Sequence, residues 1–120
     1  MREILFRGRD IAGNWHYGVP LIFTEDYVCI TAPHTYNKVV IPETVGQYTG
    51  LTDKNGKKIF EGDIMPVYEQ GEEYYYKVVY NGDCFMLAML DSEQGSYPLS
   101  TKKYISKVIG NVHDNPELLN

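Results

Sequence analysis

Acidic and amide side chains gather around a glycine in the stretch GLTDKNGKKIFEGDI, residues 50–64, and suggest a calcium-binding loop. With Gly56 at the sixth position of such a loop, the first ligand position falls on Leu51 and the twelfth on Gly62. Neither residue carries a side-chain oxygen. A phosphate-binding loop is also excluded, because the stretch lacks the required Gly-Lys-Ser/Thr ending. The pair Asn55-Gly56 instead predicts a hairpin turn in which both residues have positive φ.

Histidines and paired carboxylates are the other residues that could do chemistry. His16, His34 and His113 have no His or Cys partner two or four residues further on, so their spacing gives no zinc site. The nucleophile motif G-x-S-x-G is absent. Glu61 and Asp63 could form an acid–base pair, but such a pair needs two environments that separate the pKa values. Their place on a turn favours a structural role, with Asp63 accepting backbone amides. We therefore expect a non-enzymatic protein with no catalytic residue, metal site or cofactor, and an enzyme is the weakest alternative.

Tyrosine is the residue type that points most clearly to binding. The chain contains eleven Tyr, four Phe and one Trp. In EEYYYKVVY, residues 72–80, successive tyrosines alternate between the two faces of a strand. Only one face can enter a single core, so the other face is left for a partner or for another part of the chain. NWHYG adds two further aromatic residues. The predicted partner-binding residues are Trp15, Tyr17, Tyr74, Tyr75 and Tyr76.

The charge of the chain bears on the kind of partner. Eleven Lys and Arg against sixteen Asp and Glu give a net charge of −5 at pH 7. Proteins that neutralise phosphates usually show a Lys/Arg patch, so nucleic-acid binding is disfavoured and is kept as the alternative function. The tyrosine-rich strand begins with Glu72-Glu73, which suits a protein interface better than a base-stacking platform. No apolar run is long enough to span a membrane and no signal peptide is evident, so a cytoplasmic protein is expected.

The elements that position these residues are predicted to be strands. The N-terminal part, residues 1–49, contains EILFRGRD, a strand at residues 15–18, YVCIT and KVVIP. Residues 50–112 contain KKIFEGDIMPVY, EEYYYKVVY, CFMLAML and a last strand in KYISKVIGNVHD. We predict a mainly β protein of one domain, in which residues 50–112 form a small antiparallel SH3-like barrel with the N-terminal strands packed alongside. Residues 113–120 are predicted as a C-terminal turn, so there is little helix.

Three stretches resemble the YopX family of phage and prophage proteins. They are MREILFRG at the start, IPETVGQYTGLTDKNGKKIFEGDI in the middle and VIGNVHDNPELL at the end. Family members usually have an aromatic residue near the position of Arg9, and they continue the EGDI strand without the proline that stands here at Pro66. The resemblance implies a mostly β fold and a phage or prophage origin in a bacterial host, and it implies no mechanism.

Self-association is also expected from the tyrosine-rich strand. YYYKVVY contains Lys77 as its only edge-protecting residue and no proline. If this strand lies at a sheet edge, a second copy could pair with it or pack on its exposed tyrosines. If the strand lies in the centre of the sheet, edge pairing fails. Taken together, these features predict a small non-enzymatic β protein that acts by protein–protein binding, to itself or to another protein, and the alternative is a nucleic-acid-binding module built on an SH3-like barrel.

Overall fold

The computed structural model describes residues 4–33, 37–82, 84–90, 97–99 and 105–119, and His34 lies outside them. The described residues form eleven strands and two short 3₁₀ helices, Pro42–Thr44 and Pro116–Leu119. The prediction of a mainly β protein with little helix is confirmed. The strands are β1 (Phe6–Arg9), β2 (Trp15–Thr24), β3 (Tyr27–Thr31), β4 (Lys38–Val40), β5 (Gly46–Thr52), β6 (Lys58–Phe60), β7 (Asp63–Glu69), β8 (Glu72–Tyr80), β9 (Phe85–Met89), β10 (Tyr97–Pro98) and β11 (Gly110–Asn111).

The chain divides into two compact units, residues 1–48 and residues 49–120. In the first unit, the strands lie in the order β4-β3-β2-β1, and β1 also pairs with the first two residues of β5. One face of this sheet forms a small core of Val28, Ile30 and Val40, against which Phe6 and Val45 pack. Two glycines allow the close packing in this unit. A Cβ atom at Gly8 would lie 2.8 Å from the Val40 side chain, and one at Gly18 would collide with the carbonyl of Thr31.

Strand β2 is longer than the sequence predicted. We expected it to end at Gly18, but it continues to Thr24 and pairs with β3 from Val19 onward. Pro20 lies within the strand, beyond the last pair between β2 and β1, where a residue without an amide hydrogen is tolerated. The extension adds Val19 and Leu21 to the face of β2 that contains Tyr17.

The second unit contains a five-stranded sheet in the order β10-β9-β8-β7-β11, and the later part of β5 lies beside β6. Its core surrounds the fully buried ring of Tyr76. The other buried core residues are Ile59, Met65, Val67, Val78, Phe85, Leu87 and Leu99. Core side chains alternate along β8 and β9, and the two faces predicted for the tyrosine-rich strand are present on β8.

The five-stranded sheet does not close into the predicted barrel. Within the described residues, its outer strands are β10 and β11, and each has only two residues. The segment 105–109, predicted as strand, is instead fixed by separate hydrogen bonds. Lys54 N donates to Ser106 O at 3.0 Å, and Ser106 Oγ donates to Pro66 O at 2.6 Å. Such isolated bonds hold a chain in place without the continuous ladder that barrel closure requires.

The hairpin predicted at Asn55-Gly56 is present, but its geometry differs from the prediction. Gly56 has a φ of +83°, whereas Asn55 does not have positive φ. Gly56 N donates to Asp53 O at 3.0 Å, and Asp53 N donates to Lys57 O at 2.8 Å. This is a type I turn followed by a glycine bulge, which is a common three-residue hairpin. The hydrogen bonds from the turn to the Asp53 side chain explain why this form is preferred here.

Candidate functional site

The segment that first suggested a calcium loop is a structural clamp centred on Asp53. Its Oδ1 accepts the amides of Asn55 at 2.8 Å and Lys57 at 2.9 Å, and its Oδ2 accepts the amide of Val108 at 2.9 Å. Burial raises the pKa of Asp53, but the bonds from the three amides outweigh it, so the pKa lies below its ordinary value. The described residues contain no cluster of His, Cys, Asp and Glu that could hold a metal ion.

An open cavity of about 400 Å³ lies beside this clamp and is lined by residues 50–54 and Ile105. Its acidic group is Asp53, and both oxygens of that carboxylate already accept backbone amides. A carboxylate engaged in this way is a weak candidate for acid–base work, because its pKa is lowered rather than brought near neutrality. We therefore do not place the function of the protein in this cavity.

The EGDI and GNVHDNP motifs are also structural. Asp63 is buried and its Oδ2 accepts the amide of Phe60 at 2.8 Å, which confirms the predicted role of this residue. Gly62 has a φ of +94°, and its carbonyl accepts the amide of Val112 at 2.9 Å. These bonds fasten the C-terminal segment to the start of β7.

Asn111 organises the C-terminal turn that contains His113. Its Oδ1 accepts the backbone amides of His113 at 3.0 Å and Asp114 at 2.9 Å. The backbone amide of Asn111 donates to Asn115 Oδ1 at 3.1 Å. Gly110 leaves no room for a Cβ beside the Asn115 side chain. The motif therefore shapes a turn, and Pro116 begins the short 3₁₀ helix that follows it.

His16 belongs to the hairpin between β1 and β2. Its Nε2 lies 2.8 Å from Asp10 Oδ2, and Asp10 Oδ1 accepts the amides of Ala12 and Asn14 at 3.0 and 2.9 Å. The hydrogen bond with His16 is the largest of the contributions that lower the pKa of Asp10 to about 2. Asp10 thus forms an Asx turn that stabilises the hairpin. Its contact with Nε2 fixes the orientation of the His16 ring.

An apolar surface covers one face of the sheet in the first unit. Cross-strand partners share a face, so Leu21 on β2 lies in one row with Cys29 on β3 and Val39 on β4. Tyr17 and Val19 continue the same face along β2. The exposed fractions are 49% for Tyr17, 47% for Val19 and 53% for Val39, although Cys29 between them is buried. We call this surface the β2–β4 face, and it consists of Tyr17, Val19, Leu21, Cys29 and Val39.

Trp15 lies at one end of the same face. The guanidinium carbon of Arg7 lies 4.5 Å from the centre of the Trp15 ring. Arg7 is buried and sits opposite Tyr17 in the neighbouring strand β1. This cation–π contact positions the indole ring at the border of the β2–β4 face. The structure thus brings together Trp15 and Tyr17, two of the five residues predicted for partner binding.

The three remaining candidates lie on β8 and point in two directions. Tyr76 is completely buried, so it has no surface that a partner could touch. Tyr74 packs partly against the core and donates its hydroxyl to Glu72 Oε2 at 2.8 Å. Tyr75 faces outward and remains 37% exposed. Strand β8 lies between β7 and β9, so a second copy cannot pair with its edge, and this route to self-association is excluded.

Sequence reasoning missed Val19, Leu21 and Val39. The alternation of Tyr17, Val19 and Leu21 in YGVPLIF was a usable signal, but the predicted strand ended at Gly18, before Val19. Val39 could not be assigned to this surface from sequence, because its place depends on the register between β3 and β4.

Known proteins provide two informative similarities. The crystal structure of protein EF1440 from Enterococcus faecalis is similar to this chain, with 27% identity, a TM-score of 0.62 and coverage of 100% of both chains. No curated protein matches the chain. The family model described as YopX protein matches residues 14–120. That range includes the Asp53 clamp, the EGDI bend and the Asn111 turn, which together build the second unit. The chain belongs to the YopX family.

Proposed function

We propose that this chain is a non-enzymatic phage or prophage protein that acts in the bacterial cytoplasm by protein–protein binding, and that copies of it associate through the β2–β4 face. The observation that carries the proposal is the exposure of this apolar face, on which Tyr17, Val19 and Val39 are each about half exposed. Contiguous apolar surface of this kind marks interaction sites on small soluble domains.

The composition of the face supports a protein partner. Across β2, β3 and β4, the row of Leu21, Cys29 and Val39 contains no charged side chain, and Thr31 lies beside Val19. Interface cores are depleted in charged residues and enriched in aromatic ones, and Tyr17 supplies such a residue here. Burial of apolar surface contributes about 25 cal/mol per Å², so covering the face would favour association.

A second copy of the chain is a suitable partner for a sheet face, because packing face to face requires no alignment of backbone hydrogen bonds between the copies. Two identical apolar faces can pack across a two-fold axis, with each Val19 meeting the surface of the other copy. The outward face of β8 is less suitable for this contact. Glu73 and Lys77 accompany Tyr75 there, so that surface is polar. We therefore assign self-association to the first unit.

The position of Arg7 does not support a phosphate-binding surface on this sheet. Arg7 is buried, and its guanidinium covers the Trp15 ring. Nucleic-acid readers usually display such groups toward the phosphates. With a net charge of −5, the chain also lacks the general attraction that non-specific nucleic-acid binding depends on.

Paired variants on one strand provide the test. Val19→Lys places a charge on the β2–β4 face, whereas Ile22→Lys places the same charge on the opposite face of β2, at a residue that is 74% exposed. Each variant is immobilised and offered the untagged chain, a bacterial lysate and labelled single- and double-stranded DNA and RNA. We expect the wild type and Ile22→Lys to retain the untagged chain and Val19→Lys to lose it. Equal retention by both variants would refute the assignment, and steeply salt-dependent retention of nucleic acid would favour the alternative function.

A further inference from the structure

The hairpin between β2 and β3 ends in an exposed pair of aromatic side chains. The rings of Phe23 and Tyr27 meet edge to face, with 5.2 Å between their centroids and 70° between their planes. Phe23 is 60% exposed and Tyr27 is 47% exposed. Large aromatic side chains gain stability by burial, so an exposed pair of this kind offers contact area to a partner. We call these two residues the Phe23–Tyr27 pair.

The Phe23–Tyr27 pair lies on the same side of the sheet as the β2–β4 face. Leu21 lies opposite Cys29, and Tyr27 is two residues from Cys29 on β3, so it shares that face. The register shifts by one residue after Ile22, which is a β-bulge in β2. The contact between the two rings places Phe23 beside Tyr27 across this bulge. The pair therefore extends the β2–β4 face to the end of the hairpin.

The opposite end of the same face is aromatic and basic. Arg9 lies directly opposite Trp15 in the register of β1 and β2, and the guanidinium of Arg7 contacts the Trp15 ring at 4.5 Å. Asp10 also lies at this end, where its carboxylate contacts His16 and accepts two backbone amides of its own turn. Two guanidinium groups thus accompany the indole ring at the border of the face.

The hairpin end of the face is acidic. Glu25 and Asp26 form its tip, where Thr24 Oγ1 accepts the amide of Asp26 at 3.2 Å. No Lys or Arg occurs in the sequence between Arg9 and Lys38. Two acidic tips brought together would repel each other, whereas an acidic tip and the end that contains the arginines attract. The charges of the face therefore favour contact between unlike ends.

The spacing along β2 makes the face complementary to itself in this orientation. Trp15 and Phe23 are each four positions from Val19, and Tyr17 and Leu21 are each two positions from it. A two-fold axis that crosses the strand at Val19 aligns the β2 strands of two copies antiparallel. Phe23 of one copy then meets Trp15 of the other, and Tyr17 meets Leu21. Both contacts join apolar or aromatic side chains, which pack without an unpaired charge.

We infer that two copies of the chain pack with their β2 strands antiparallel, and that the Phe23–Tyr27 pair of one copy anchors on Trp15 of the other. The acidic tip of each copy then lies at the end of the face that contains Arg7 and Arg9. The inference rests on the proposed self-association, and it adds the orientation of the two copies and the aromatic residues that anchor them.

Intermolecular paramagnetic broadening tests the orientation. A nitroxide is attached to Thr24→Cys in a chain that also has Cys84→Ser, because Cys84 is exposed and Cys29 is buried. This chain is mixed with ¹⁵N-labelled wild type. The two ends of β2 are about 26 Å apart, at about 3.3 Å per residue, so they give separate signals. We expect broadening at the amides of residues 7–17, and broadening at residues 22–28 instead would overturn the antiparallel arrangement.

Two alanine variants test the anchor. Phe23→Ala should weaken self-association by about tenfold, whereas Ile22→Ala, the matched control, should weaken it less than about twofold. Ile22 is 74% exposed and lies on the opposite face of β2, so its truncation removes a similar apolar side chain outside the contact. Circular dichroism of each variant should match that of wild type. Equal weakening by the two variants would overturn the role of the Phe23–Tyr27 pair.

Sedimentation of the same mixture distinguishes failure of this inference from failure of the proposed function. A dimer with broadening at residues 22–28 would overturn the orientation and leave self-association standing. A monomer in which no amide is broadened would overturn both. A dimer with broadening at residues 7–17 that Val19→Lys abolishes would support both.

Discussion

At the scale of single residues, the carboxylate of Asp53 receives amide hydrogens from its own turn and from Val108, a residue 55 positions further along the chain. Asp63 and Asn111 repeat this use of a polar side chain to fasten backbone segments. Each of these residues is buried, so its hydrogen bonds compete with little water. The sequence motifs that contain these three residues therefore serve to stabilise the fold.

Replacement of Asp53 tests this structural role. Asp53→Ala removes the acceptor from three amides and should lower the free energy of unfolding by about 2–4 kcal/mol, because three partly buried hydrogen bonds are lost together. Asp53→Asn should cost less, since its single oxygen can still accept the turn amides while its NH₂ group faces the amide of Val108. Urea denaturation measures both values. An unfolding free energy of Asp53→Ala within about 0.5 kcal/mol of wild type would contradict the clamp.

The Asp10–His16 contact predicts a dependence of stability on pH. The pKa of Asp10 is lowered from 3.8 to about 2 in the folded chain, mainly by the hydrogen bond with His16. A lowered pKa means that the stabilisation is fully present above pH 3.8 and is lost as the pH falls toward 2. The melting temperature of wild type should therefore exceed that of Asp10→Asn at pH 5, and the difference should shrink between pH 4 and pH 2. A difference that stays constant over this range would contradict the assignment.

At the scale of elements, strand β8 illustrates what a local pattern can predict. The alternation of EEYYYKVVY identified a strand with two distinct faces, and β8 is that strand. Which face is buried could not be read from the pattern, because tyrosines occur on both. The choice depends on the hairpin register with β7 and β9, which places Met65, Val67 and Leu87 beside the face of Tyr76.

The two faces of β8 should respond differently to truncation. Tyr76→Ala opens a cavity in the core of the second unit and should cost about 3–5 kcal/mol. Tyr75→Ala removes a partly exposed ring and should cost about 1 kcal/mol or less. Denaturant titration of the two variants makes the comparison, and their midpoints should differ clearly. Similar losses for both would show that the face of β8 containing Tyr75 is also covered.

At the scale of the whole chain, fold class could be predicted and sheet closure could not. Gly-containing turns and period-two alternation are local signals, and they correctly indicated a mainly β chain. They ended β2 too early and placed a strand at residues 105–109, where the structure has none. Whether the five-stranded sheet closes is decided by contacts between residues far apart in sequence. The hydrogen bond from Val108 N to Asp53 Oδ2 is one of these contacts. The candidate site likewise combines a feature that local sequence signals could predict with one that they could not. Trp15 and Tyr17 were recognised as aromatic residues on a strand, but the apolar face around Tyr17 requires the registers of three strands.

In the described part of the chain, no helix is both long and apolar enough to cross a membrane. We propose the β2–β4 face, with Tyr17 as its aromatic residue, as a surface for protein contact. Self-association through this face can be tested by the size of the protein in solution.

Sedimentation velocity at micromolar concentration tests that claim most directly. Wild type and Ile22→Lys should sediment as species larger than the 13.8 kDa chain. Val19→Lys, with circular dichroism matching that of wild type, should sediment as the 13.8 kDa monomer, because the lysine must be desolvated in the apolar contact. A wild-type protein that sediments only as a 13.8 kDa species over the whole concentration range would contradict self-association through the β2–β4 face.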